Sequence, residues 1–187
     1  TFKKNKQSFT SLHSSEKKIC DALYVLVKTT GLNTITIYPR ALIFAELEKS
    51  EDVVMCEFGV GRTNIFSTHC SHTANFSSVS YGVDELYKKI KSKFSLSDQE
   101  VVEVLVAYGT EALPRKEGHA VHGIIHNFLV PIIDEIHSLQ VRRVEQGLEP
   151  IAYLAALGDL AQYSGIIEDI ARMTRIEVRL SNVWNDS

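Results

Sequence analysis

Residues 57–64 of this 187-residue chain, Glu57-Phe58-Gly59-Val60-Gly61-Arg62-Thr63-Asn64, set a carboxylate, two glycines, a hydroxyl and an amide side by side. The apolar run Val53-Val54-Met55-Cys56 before them reads as a buried strand, and Ile65-Phe66 resumes the apolar pattern after them. A glycine turn after a strand lets backbone amides come close to a ligand, which suits a phosphate. A tight β-hairpin needs glycine just as much, so a turn without a ligand fits the same residues.

Other candidates carry weaker chemistry. His119, His122 and His126 fall at i, i+3 and i+7, so a regular helix sets them on one face as a metal triad would be. One helix rarely closes a metal site, and the reading is a solvated helix face with no metal. His69, Cys70 and His72 lie on an alternating strand and its turn, where their side chains diverge. The chain has no Gly-x-Ser-x-Gly motif and no placed Cys-His pair, which disfavours hydrolase chemistry, and no catalytic residue is assigned. Arg142 and Arg143 near a helix end complement the helix dipole and read as a surface feature.

These residues need elements to hold them. Residues 1–14 are polar and basic with little periodicity and read as a flexible tail. Ile19, Leu23, Leu26 and Val27 recur at helical spacing over about 15–29, with Gly31 past the end. Residues 34–38 alternate as a strand, and Pro39 starts a short helix to Glu48. Strand signals at 53–57, 62–69 and 73–80 are joined by short turns and predict an antiparallel meander. Val83, Leu86, Tyr87 and Ile90 make a helical stripe. Ser97 and Glu100 form a capping box for a helix with Val101, Val104 and Leu105 inward. After a loop at 109–118, a long helix over 119–145 contains Pro131, expected to kink or divide it. A strand at 151–154, a helix at 160–173 and a strand at 176–180 follow. This order predicts an α/β fold, a ribonuclease-H-like mixed sheet of three antiparallel strands then crossovers, with helices on both faces and a small helical insertion at about 83–118.

Composition agrees with a folded domain: 44% hydrophobic residues and a net charge of −3 with interspersed signs, which gives no reason to expect nucleic acid. No apolar run approaches the roughly 20 residues that span a bilayer. Cys20, Cys56 and Cys70 are odd in number, and two lie in apolar stretches, so a reducing cytoplasm fits best. The chain opens on Thr1, and the expectation is a processed piece or a domain of something longer.

Three segments resemble the second lobe of an actin-like ATPase, as in the cell-division protein FtsA and the type IV pilus-assembly protein PilM. Residues 57–64 match the family's D-x-G-x-G-x-T-[DN] phosphate turn position by position. Gly82 keeps the first of a Gly-Gly pair that opens a helix. Ala156-Leu157-Gly158-Asp159-Leu160-Ala161-Gln162-Tyr163-Ser164-Gly165-Ile166 fits the family's L-T-G-G-A-A-x-L-x-G-L without a gap, followed by Val178-Arg179-Leu180-Ser181-Asn182. The resemblance covers about residues 15–183 and makes 15–187 a second lobe. It implies that Glu57, Gly59, Gly61, Thr63, Asn64, Gly82, Gly158 and Asp159 line one side of a nucleotide cleft. Glu57 in place of aspartate moves a carboxylate one methylene further toward magnesium-bound water. Val60 and Arg62 add bulk, and Asp159 in place of the second glycine sets like charge beside phosphate. Hydrolysis in this family needs a first lobe, which the residues before 15 cannot supply. Two readings follow: a scaffold or assembly protein acting on a protein partner or a second copy, recruited to a membrane complex only through partners; or half of a functional ATPase, with ATP and magnesium as cofactors of the complete protein and none in this chain.

Overall fold

The structure, a computed structural model, describes residues 16–31, 52–69, 72–109 and 115–181. The tail at 1–14, the strand at 34–38, the short helix from Pro39 to Glu48, Cys70, Asn182 and residues 110–114 of the loop lie outside the described residues.

Helix α1 (Lys17–Lys28) stands where the apolar spacing predicts and buries none of its residues; Gly31 beyond it takes a left-handed φ of 83°. Strands β1 (Val53–Phe58), β2 (Thr63–His69) and β3 (His72–Val79) form the expected antiparallel meander. Strand β4 (Tyr153–Gly158) lies parallel to β1, and β5 (Val178–Leu180) parallel to β4, giving the order β3-β2-β1-β4-β5. Strand β4 begins two residues later than expected and runs on to Gly158, because all six of its residues pair with β1. Central strands are apolar on both sides, which is why β1 reads as a continuous apolar run.

Between β3 and β4 come helices α2 (Val83–Phe94), α3 (Asp98–Ala107) and α4 (Arg115–Glu145); a 3-10 turn at Asp159–Gln162 and helix α5 (Ser164–Thr174) join β4 to β5. The capping box of α3 is formed, Ser97 N–H donating to Glu100 Oε2 over 2.7 Å while the Ser97 hydroxyl accepts from the Glu100 amide. Helix α4 is not divided at Pro131. An interior proline costs about 3 kcal/mol. Phe128, Leu129, Ile132 and Ile133 are all buried around it, at about 1.5–3 kcal/mol each, and outweigh that cost.

The helices α2 to α5 share one core with Val54, Cys56 and Phe58 of β1 and Leu154 and Ala156 of β4, so they gather on one face of the sheet rather than on both. The reason is directional. The crossover from β3 to β4 and the one from β4 to β5 advance the same way across the sheet, and right-handed connections that advance the same way lie on the same side. Val53, Met55, Phe66, Tyr153, Ala155 and Leu157 form a second buried cluster on the opposite face.

Arg143 corrects another expectation. It is not a surface cation: its side chain is 1% exposed, and its Nη2 lies 2.6 Å from Asp52 Oδ1. Its Nη1 donates to the Thr68 carbonyl over 2.7 Å, and Nε and Nη2 donate to the Glu149 carbonyl over 3.3 and 3.0 Å. His69 Nδ1 lies 2.8 Å from the same Asp52 oxygen. The cluster ties the end of α4 to the start of β1 and the end of β2. Only Arg142 keeps a surface role, paired with Glu135 over 2.6 Å.

Candidate functional site

The residues singled out from the sequence converge at the carboxyl ends of β1 and β4. Phe58 is in register with both Thr63 and Gly158, and Glu57 with both Asn64 and Leu157. In open α/β sheets, ligands bind in the crevice outside the carboxyl ends of the strands.

The glycines divide by function. Gly59 N–H donates to the Arg62 carbonyl over 3.0 Å, and a side chain on Gly59 would stand 2.9 Å from that same oxygen. Gly82 is buried against the turn, where a Cβ would come within 2.1 Å of the Val60 carbonyl and 2.5 Å of the Arg62 amide nitrogen. Gly158 has φ 88°, and a Cβ there would meet the Phe58 carbonyl at 2.3 Å. These three positions are glycine because backbone passes against backbone. Gly61 is different. Nothing lies within 4 Å of its Cβ direction and its φ is not left-handed, so the fold itself makes no demand for glycine there. Among the described residues, the amides of Val60, Gly61 and Arg62 make no backbone hydrogen bond outside helices and strands, whereas the amides that follow are used. Val83 N–H donates to the Gly59 carbonyl over 2.9 Å and Asp84 N–H to the Val60 carbonyl over 3.0 Å. The turn therefore consumes the first-turn amides that a helix start could otherwise offer an anion.

The side chains are partly committed as well. Thr63 is buried and its hydroxyl donates to the Tyr81 carbonyl over 2.8 Å, tying β2 to the approach of α2. Glu57 is 8% exposed and accepts from Asn64 Nδ2 over 3.0 Å, while Asn64 Oδ1 accepts from the Ser78 hydroxyl over 3.1 Å. By strand alternation this polar row shares the face of Val53 and Met55, away from the helices. Asp159 is exposed at the start of the 3-10 turn, and Asp84 and Glu85 are exposed in the first turn of α2 beside Gly82. The turn at Gly61 thus has an open side, with exposed carboxylates at the start of α2 and of the 3-10 turn and Arg62 as the turn's own cation.

The tyrosines beside this site were missed as a pair in the sequence. Tyr87 of α2 and Tyr163, which follows the 3-10 turn, meet with their hydroxyl oxygens 2.8 Å apart. Tyr87 was legible only as part of an apolar stripe.

The remaining candidates fall elsewhere. His122 is not simply solvated: its Nδ1 lies 2.7 Å from the Tyr108 hydroxyl, which in turn donates to the buried carboxylate of Asp169, also paired with Arg172. His119 and His126 are exposed, and no group of metal-ligating side chains occurs among the described residues. His69 belongs to the Asp52–Arg143 cluster. An apolar hollow of about 390 Å³ beside Val141, Val144, Pro150 and Ile151 lies at the other end of the sheet, before the start of β4.

No protein-family model matches the chain, and no curated protein matches it in sequence. Solved structures do match. MreB5 of Spiroplasma citri bound to ADP superposes with a TM-score of 0.66 at 12% identity, over 90% of this chain and 62% of that one. The PilM-PilN type IV pilus biogenesis complex gives 0.60 at 13% identity, over 88% of this chain and 48% of that one. The ethanolamine utilization protein EutJ from Carboxydothermus hydrogenoformans gives 0.58 at 17% identity, over 89% and 57%. The chain thus spans about half to three fifths of the length of these proteins. At such identities the likeness is one of architecture, and over nearly nine tenths of its length the chain has the fold of the actin-like ATPases.

Proposed function

We propose that this chain is the second lobe of an actin-like assembly protein, acting through contacts with other protein chains, and that its glycine turn meets nucleotide weakly. The observation that carries the reading is the use of the Val83 and Asp84 amides by the carbonyls of Gly59 and Val60, with the carboxylates of Asp84, Glu85 and Asp159 around the turn. A phosphate there finds fewer donors and more like charge than a helix start would otherwise offer. The likeness to PilM in its complex with PilN supports a protein partner of the pilus type, and a division-type partner suits the same fold. The helical subdomain at about 83–118 is the proposed contact surface, with Val102 and Val106 exposed on α3. No helix among the described residues is long and apolar enough to cross a membrane, and the proposed place of action is the cytoplasm, with any membrane complex reached through the partner.

One observation favours the second reading, half of a working ATPase: Gly61 faces open space although the fold does not require glycine there. Titration calorimetry with magnesium-ATP tests the weak-nucleotide part of the first reading. The scaffold reading expects binding weaker than about 10 μM, roughly −7 kcal/mol. Tighter binding by this chain overturns it.

A further inference from the structure

Gly82 and Gly158 mark the two places where neighbouring chain presses against the end of β1 and its turn: Gly82 against Val60 and Arg62, and Gly158 against Phe58. A ligand anchored on the Gly61 turn and lying over the carboxyl end of the sheet has to extend between α2, which starts at Gly82, and the corner that starts at Gly158. Two tyrosines bridge these two elements, one on α2 and one at the end of the 3-10 turn that follows Gly158. Tyr87 lies one turn into α2 on the face of Val83, and its hydroxyl meets that of Tyr163 at 2.8 Å. Tyr163 is buried in the main core, and Tyr87 is half-buried above it. Burial, then the bond to Tyr163, then the charges of Tyr163 and Asp159 hold the Tyr87 phenol protonated well above the ordinary tyrosine range. Asp159 opens the 3-10 turn between Gly158 and Tyr163 and is exposed there.

Resting on the reading of this chain as an actin-like lobe with weak nucleotide contact, we propose that Tyr87, fastened to Tyr163, is a plug: its ring fills the space that the nucleoside of a phosphate-anchored nucleotide would take, and Asp159 repels the phosphates. A tyrosine ring is flat and close in size to one ring of a purine, and fastening its hydroxyl keeps it from swinging aside. The weak binding then has a local cause that a single substitution removes.

The test is calorimetric titration of the whole chain with magnesium-ADP. Tyr87→Ala should bind at least tenfold more tightly than the unmodified chain, and Asp159→Gly several-fold more tightly. Tyr87→Phe keeps the ring but loses its fastening to Tyr163, and should bind more tightly than the unmodified chain and less tightly than Tyr87→Ala. Circular dichroism checks folding, and Tyr87→Val, which keeps an apolar helix residue, replaces the alanine variant if that one unfolds. If removing the ring leaves affinity unchanged or lowers it, the plug is wrong and Tyr87 is either core filling or a stacking platform. Tight binding by the unmodified chain would instead refute the weak-nucleotide reading, so the two failures are distinguishable.

Discussion

Substituting alanine at Gly61 and at Gly158 should have opposite consequences for stability, and the structure says why. At Gly158 the backbone has φ 88°, and an added Cβ would lie 2.3 Å from the carbonyl oxygen of Phe58 and 3.0 Å from its carbon. With ψ −174° this is a backbone region essentially closed to residues with a Cβ, and occupying it costs about 1–3 kcal/mol. Relieving the clash means moving the end of β1, the central strand, and weakening ladder hydrogen bonds worth about 0.5–1.5 kcal/mol each. Together these come to about 3 kcal/mol or more, which for a chain of this size lowers Tm by about 6–12 °C. At Gly61 an added Cβ meets nothing within 4 Å. There alanine restricts the unfolded chain and should stabilise by about 0.4–1 kcal/mol, raising Tm by about 1–4 °C. Thermal unfolding followed by circular dichroism, with urea titration to confirm unchanged m-values, measures both. A Gly61→Ala variant that loses as much as Gly158→Ala, or a Gly158→Ala variant within about 2 °C of the unmodified protein, refutes the assignment of the glycines to different jobs.

The Asp52–Arg143 pair predicts a large effect from a conservative change in volume. Arg143→Met leaves Asp52 and the carbonyls of Thr68 and Glu149 without their cation, which should cost about 3–5 kcal/mol and be seen as a fall in the urea midpoint. Alkaline titration supplies the third test. Tyr87 and Tyr108 are both raised from the ordinary value of 10.0, by burial first and then by their bonds to Tyr163 and Asp169 respectively. A pKa raised on folding means that the stabilisation is fully present below pH 10 and is lost as pH rises beyond it. Absorbance of tyrosinate should therefore show these two of the seven tyrosines ionising late, together with unfolding, and a single titration of all seven near pH 10 would count against both hydrogen bonds.

The order of strands and helices was legible because each element carries its own local signal. The meander follows from short turns, the capping box of α3 from Ser97 and Glu100, and the end of α1 from Gly31. What local pattern could not supply was anything decided by packing across the sheet. Proline predicts a break, but four buried residues around Pro131 hold α4 together. Two adjacent arginines look alike in sequence. Only the meeting of α4 with Asp52, Thr68 and Glu149 buries one and leaves the other at the edge. His122 joins Tyr108 and Asp169 for the same reason, through contacts 14 and 61 residues apart along the chain.

The same limit applies to the site, and it falls on Glu57 in particular. Its place beside the glycine turn is local and was readable. Its face is not, because a strand apolar on both sides has no alternation to show which side receives the helices. That choice is made by the two crossovers, which advance in one direction and so put α2 to α5 over Val54, Cys56 and Phe58. Glu57 then belongs to the other face, with Asn64 and Ser78, while Tyr87 and Tyr163 belong to the helical face. The Gly61 turn is the point where the two faces meet. A ligand held there would reach the carboxylate from one side of the sheet and the tyrosines from the other. The charge of Glu57 and the ring of Tyr87 are therefore separable influences, and Tyr87→Ala should change nucleotide affinity without disturbing the Glu57–Asn64 hydrogen bond.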